Sequence, residues 1–335
     1  MRSFEAVTGN APVVQSLKNA AARNKPAHAY IIEGAPGSGK TLLAETFAKA
    51  LQCEAKRDGD ACGSCVSCRT FDTQNHPDII RVAPTTRKTV GVDDIREQVG
   101  ERIKTRPYKY AYKIFIIKNA DEMTPQAQNA LLKALEEPAG YGVFLLTAVN
   151  DAGFLPTVLS RSVVLKLKPL PEAVVAEYLT NNGFGPDEAA MYAAYAQGSI
   201  GRALARKADG AFDDMRSLAA DTAFARTNPG GGAYEAFVMA SRYEPFKENI
   251  ADCLDMLQIL IRDLLIYKAT GQTRFIRERT LSERIQNEAS YHSVKSLLNK
   301  FDAVSRTGGR LRYNANYTMT MDVLMMELFG GYDGI

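Results

Sequence analysis

Two short stretches hold residue types whose spacing does chemistry. The first is GAPGSGKT, residues 34–41, which fits G-x-x-x-x-G-K-[ST] at Gly34, Gly39, Lys40 and Thr41. Glycines let backbone N–H groups curl around phosphate oxygens, and a helix starting at the loop's end points its positive pole at them. Lys40 would neutralise the outer phosphates and Thr41 would ligate Mg²⁺. The expected cofactor is ATP or ADP with Mg²⁺, held by Gly34, Pro36, Gly37, Gly39, Lys40 and Thr41.

The second stretch is CEAKRDGDACGSCVSC, with Cys53, Cys62, Cys65 and Cys68 spaced C-x8-C-x2-C-x2-C. Two C-x2-C steps gather thiolates in tight turns, and four thiolates suit tetrahedral zinc at a closed, structural site. The plain alternative is four reduced surface cysteines. A cluster of this kind in a cytoplasmic chain favours metal over disulfide. Cys253 falls on the apolar side of a helical pattern and reads as core; His76, in NHPD, reads as structural.

Elements must position these residues. Between residues 1 and 167, AYIIEG, DIIRVA, KIFIIK, VFLLTAV and VVLKL read as strands alternating with helical stretches. That alternation predicts an α/β fold with a parallel sheet covered by helices. The P-loop follows the first strand and opens a helix, and the cysteines lie in an insertion (53–68) after that helix. Thr124 can cap a helix that carries Ala127, Ala130, Leu131, Ala134 and Leu135 on one face and stops before Pro138. KLKPLP, residues 166–171, is a break, and no strand pattern survives past residue 210. Residues 172–208 read as short helices and the rest as longer ones, with Ile250, Leu254, Leu257, Ile261, Leu264 and Leu265 on one face before a C-capping Gly271.

The chain has 335 residues, room for two or three domains. Net charge is +3, from 41 basic and 38 acidic residues, too balanced to argue for nucleic acid by composition. DNA contact would need a local patch; TRFIRER (273–279) and RTGGRLR (306–312) are candidates, and solvated helix faces explain them equally well. No apolar run approaches the roughly 18 residues of a membrane span. The start lacks the apolar segment of a secretory signal, so the expected location is cytoplasmic.

HAYIIEGAPGSGKT, NHPDI, NALLKALEEP and SRS (160–162), in that order, resemble bacterial clamp-loader ATPases of the AAA+ superfamily, components of the DNA polymerase III holoenzyme. The resemblance implies an AAA+ module over 1–167, a small helical lid over 168–208 and an all-helical collar over 209–335. It implies a hetero-pentamer with gamma/tau-like motor subunits and a delta-like subunit. The sliding clamp and primer-template DNA are reached through that complex, and no membrane is involved. In the family's motors the strand corresponding to KIFII ends directly in Asp-Glu. Here KIFII runs into Lys118 and Asn119, while Asp121 and Glu122 arrive late. A lysine there brings positive charge toward the metal and offers no base. Asp121 would replace the acid only if the strand ran three residues further; otherwise Asp121 and Glu122 are a solvated helix-entry pair. The resemblance therefore points to the loader's stator, with weak or absent ATPase activity of its own. Arg161 would be an arginine finger acting in trans, the alternative being a surface arginine. Thr147 would stand at sensor 1 and Val7 beside the base. Arg202 would stand at sensor 2, displaced by one position because Gly201 occupies the motor's arginine position. The alternatives are a gamma-like motor subunit and an unrelated P-loop NTPase.

Overall fold

The computed structural model describes residues 3–85, 89–208, 210–226, 232–312 and 315–329. Its contacts divide the chain into two compact units: Met1–Pro171 with Gly198–Arg202, and Glu172–Gln197 with Ala203–Ile335. Residues 168–208 are thus shared between the units.

The first unit is built on strands β1 (Ala29–Glu33), β2 (Ile79–Val82), β3 (Lys113–Ile117), β4 (Gly142–Ala148) and β5 (Val163–Lys166). They pair in parallel in the order β2-β3-β4-β1-β5, the AAA+ P-loop module expected of the sequence. β4 is buried along its whole length, which explains its uninterrupted apolar run; β5, at the edge, is half-exposed. Alternate side chains leave the sheet on opposite faces. One face carries Ile31, Phe115, Phe144 and Leu146, packed with Leu131 and Leu135 of α5 (Pro125–Glu136). The other carries Ile32, Ile116 and Leu145, packed with Leu17 of α1 (Ala11–Ala22) and Leu43 and Phe47 of α2 (Lys40–Gln52).

α5 forms as its sequence predicts. The Thr124 hydroxyl accepts the Ala127 N–H, and Pro125 opens the first turn. One buried position breaks its apolar pattern. The Gln128 amide donates to the carbonyls of Met123 (3.2 Å) and Gly153 (2.7 Å), and its oxygen accepts the Leu155 N–H (2.8 Å). It ties the exit of β3 to the loop before α6 (Pro156–Leu159). α3 (Val66–Asp72) closes the cysteine insertion. α4 (Val92–Ile95) continues as a π-helical turn over Arg96–Glu101, which no sequence pattern announced. Residues 86–88, before α4 in the sequence, lie outside the described residues.

Beyond β5 every described regular element is helical. The second unit holds α7 (Glu172–Asn181), α8 (Pro186–Tyr195), most of α9 (Ile200–Ala208), α10 (Phe212–Ala223), α11 (Gly232–Arg242), α12 (Ile250–Thr270), α13 (Ser282–Ala289), α14 (Val294–Arg312) and α15 (Tyr317–Phe329). α12 is its axis, with Cys253, Leu257, Leu260, Ile261 and Leu264 fully buried. Gly271 caps α12 in the left-handed region (φ 67°), its N–H bonding the Tyr267 carbonyl at 2.8 Å. No helix among the described residues is long and apolar enough to cross a membrane.

Candidate functional site: a phosphate loop and an arginine at opposite sheet ends

The phosphate loop runs from Gly34 into α2, with Gly37 and Gly39 left-handed (φ 73° and 91°). Lys40 is buried, and its Nζ donates to the loop's own Gly34 (2.6 Å) and Ala35 (2.9 Å) carbonyls. Burial lowers its pKa, and the charge of Asp121 pulls back the other way. The Ser38 hydroxyl is buried here without a partner. An ammonium turned on its own loop and an orphaned hydroxyl fit a cradle that would gain partners from phosphate oxygens.

A strap from Gly198 to Arg202 lies on the loop's apex. The Ser199 hydroxyl donates to the Pro36 carbonyl (3.0 Å), and the Gly201 N–H donates to the Gly37 carbonyl (3.0 Å). A Cβ on Gly201 would sit 2.6 Å from the Gly37 oxygen, so glycine is required in this conformation. Arg202, the sensor-2 candidate, is brought to the loop by the same contact: a Cβ on Gly37 would lie 2.7 Å from its backbone nitrogen. Ser199, fully buried, carries no sequence signal for this role.

β3 ends at Ile117; Lys118 is exposed, and Asn119 turns left-handed (φ 50°). The strand does not run on to Asp121. Asp121 is nevertheless no solvated helix-entry residue, correcting that reading. Its Oδ2 accepts the Val149 N–H at 2.8 Å, while Oδ1 is buried and unpartnered. Thr147 is buried, and its hydroxyl accepts the Asn119 N–H at 3.2 Å, so the sensor-1 candidate is tied to the end of β3. Val7 is half-buried on the α1–α2 face of the sheet.

Arg161 lies elsewhere. β1 and β5 are in parallel register, with Tyr30 opposite Val163 and Glu33 opposite Lys166. The phosphate loop leaves the C-terminal end of β1, whereas Arg161 precedes the N-terminal end of β5. About six residue steps, roughly 20 Å at the strand rise, separate the two levels. Arg161 Nη2 pairs with Glu136 at 3.1 Å, and Nη1 donates to the Thr157 carbonyl (3.1 Å) and the Ser160 hydroxyl (3.2 Å). Ser162 bonds the Val158 carbonyl at 2.9 Å.

The four cysteines converge, with all Sγ atoms within 4.8 Å of one another. Backbone amides point at three of them: Cys62 N–H at Cys53 Sγ (3.2 Å), Cys65 N–H at Cys62 Sγ (3.4 Å) and Cys68 N–H at Cys65 Sγ (3.4 Å). Amides of Ser64 and Cys65 hold the Cys62 thiol down at about 6, whereas burial raises Cys53 and Cys68. Amide-braced sulfurs at this separation fit a tetrahedral metal ion such as zinc. His76 stays outside the cluster. Its Nε2 bonds the Ser67 hydroxyl (3.1 Å), its Nδ1 accepts the Asp78 N–H (3.2 Å), and burial lowers its pKa to about 4. The buried Asp78 carboxylate accepts N–H groups of Tyr108 (2.6 Å), Lys109 (3.0 Å) and Tyr110 (3.1 Å), so NHPD fastens the insertion to the sheet.

Residues 9–171 match the family described as DNA polymerase III, delta subunit. The chain is 28% identical to DNA polymerase III subunit delta' of Bacillus subtilis over 324 residues, covering 95% of this chain and 96% of that one. It is 38% identical to subunit delta' of Pseudomonas aeruginosa over 155 residues, 46% of this chain and 47% of the relative. It is 27% identical to subunit tau of Bacillus subtilis over 332 residues, 89% of this chain and 57% of that one. The chain thus spans only about half the length of the tau and Pseudomonas relatives. A P-loop sheet of this order and a four-cysteine insertion after α2 accompany this similarity to bacterial DNA polymerase III subunits. Over residues 9–171 the chain is thus similar to the DNA polymerase III delta/delta' subunits.

Proposed function

We propose that this chain is a delta'-like stator of a replicative clamp loader. In this reading it joins gamma/tau-like motor subunits and a delta-like subunit in a hetero-pentamer. The assembly loads the sliding clamp onto primer-template DNA in the cytoplasm, and this chain supplies Arg161 to a neighbour's ATP site. The carrying observation is the register of β5 on β1, which sets Arg161 about six residues from the level of its own phosphate loop. An arginine there has no reach to its own nucleotide; to meet another chain's it would exchange its pairing with Glu136. Such a finger stabilises charge on the transferring phosphoryl group.

Lys118 supports weak or absent turnover by the chain itself, since the end of β3 offers neither a metal-holding acid nor a base. ATP or ADP with Mg²⁺ would lie on Gly34, Pro36, Gly37, Gly39, Lys40 and Thr41, with Arg202 and Thr147 at the edges and Val7 toward the base. Zinc on Cys53, Cys62, Cys65 and Cys68 would cross-link the insertion and take no part in chemistry. Residues 1–167 would act as the AAA+ module, 168–208 as its lid and 209–335 as the collar.

One observation favours a second reading, a gamma-like motor. The unpartnered Oδ1 of Asp121, whose charge reaches Lys40, would have to act as the displaced acid. Steady-state hydrolysis by the isolated chain separates the two. Nucleotide binding without turnover is the stator's signature; turnover that Asp121→Asn abolishes and Lys118→Ala leaves intact makes it a motor.

A further inference from the structure

The basic stretch at residues 273–279, a DNA-contact candidate or a solvated helix face by sequence, is not part of an α-helix. It connects α12 and α13 through two short 3₁₀ turns, Thr273–Phe275 and Arg279–Leu281, in the second unit alone. Asp263, fully buried on α12, anchors it by accepting the N–H groups of Arg277 (2.9 Å) and Glu278 (2.9 Å). Backbone near Ile276 is extended (φ −70°, ψ 127°), so neighbours alternate. Ile276 and Glu278 point inward, where Glu278 takes a two-pronged bond from Arg216 (3.2 and 3.2 Å). Arg277 and Arg279 are thereby both turned to solvent.

They do not open onto flat surface. Arg262, Arg274, Phe275, Arg277 and Arg279 line a cavity of about 570 Å³ with Glu172. Arg262 is spent, pairing with Asp263 at 2.6 Å and bonding the Phe275 carbonyl at 3.2 Å. Among the described residues no hydrogen bond or ion pair engages the guanidiniums of Arg274, Arg277 and Arg279; Glu172 lies in the field of Arg277 and Arg279, and the second acid nearby, Asp263, is already paired with Arg262. With Arg262 matched to Asp263, three further guanidiniums and the single carboxylate of Glu172 line an anion-attracting concavity, and arginine forks match phosphate oxygens. Phe275 adds a second chemistry: it is 44% exposed at the rim, with the Arg274 guanidinium 4.6 Å from its ring centroid. An exposed aromatic gives a lone phosphate ion nothing, and bases stacked in a duplex cannot lie on it. Unpaired bases can, and a basic groove with an aromatic platform is how single strands are held without sequence preference. The volume is large for a phosphate ion and of the order a nucleotide fills.

We infer that the Arg274–Arg279 turn forms a single-stranded nucleic-acid site, with phosphates on Arg277 and Arg279 and a base on Phe275. This site is independent of the Arg161 reading and uses none of its residues.

The test is anisotropy titration of the full chain with a fluorescein-labelled oligothymidylate between 50 and 200 mM salt. The Arg277→Gln/Arg279→Gln double variant should lose about tenfold or more in affinity. Its plot of log K against log salt should flatten by about 1.4, the release of counterions from two single-strand phosphate contacts. Phe275→Ala should also weaken binding about tenfold, with the salt slope unchanged, because stacking carries no counterion release. Arg274→Gln is the milder second variant, and unchanged melting temperatures show that each variant folds. Wild-type affinity and salt slope in the folded double variant would overturn the site. So would a matched duplex competing as well as the single strand, or millimolar inorganic phosphate displacing it.

Discussion

The two ends of the sheet in the first unit are built on opposite plans. At the C-terminal end the phosphate loop is enclosed: Lys40 is buried, and the Ser199–Arg202 strap is hydrogen-bonded to the apex. At the N-terminal end Arg161 stands half-exposed, held by Glu136 across the surface. An enclosed site suits groups that act on what the same chain binds. An exposed, side-tethered arginine suits a group that acts on something arriving from outside. The same sheet carries both, and its parallel register keeps them apart.

The largest effect expected breaks this contrast directly. In a loader assembled with one intact motor site facing this chain, Arg161→Ala should cut ATP turnover by about 10³-fold or more. Lys40→Ala should leave that rate within about twofold while abolishing nucleotide binding by the isolated chain. Equal losses in the two variants would erase the division of labour.

The cysteine insertion bears on whether the enclosed end depends on metal. Cys68→Ser should remove bound zinc, read by metal analysis, and lower the stability of the holoprotein by about 3 kcal/mol or more in urea titration. Gly201→Val probes the strap. Its side chain has no room above Gly37, so it should cost about 1–3 kcal/mol and change nucleotide affinity without touching the Arg161 end.

Two buried imidazoles give a smaller, pH-dependent effect. Burial lowers both His76 and His292 from 6.5 to about 4. Between those pH values the unfolded chain binds protons that the folded chain refuses, so stability falls as pH drops through the window. Urea midpoints from pH 7 to 4 should show the decline, and His292→Asn should flatten it. Least of all, Glu136→Gln removes an exposed ion pair worth about 0–1 kcal/mol. Its stability change should be near zero, and any loss of neighbour turnover should appear only while Arg161 is present.

Much of this is legible in the sequence. The phosphate loop, the cysteine spacing and α5 are contiguous or periodic, and their chemistry depends on neighbours a few residues away. Thr124, Pro125 and the Leu131–Leu135 stripe specify α5 from within. The break in acidity at Lys118 is a matter of where an apolar run stops, and β3 stops there.

Other features were decided by chain segments far apart. Ser199 meets Pro36 across 163 positions, and Asp121 turns to the Val149 amide across 28. Arg161 is a finger candidate by motif, yet only the pairing of β5 with β1 puts it at the far end from its own loop. Residues 273–279 read equally as a DNA-contact candidate or a charged helix face; a buried aspartate on another helix makes them a connection lining a cavity. Local patterns record backbone preference and the period of burial. Which residues share a site depends on crossovers and on buried polar groups finding partners, and neither leaves a periodic trace in the chain.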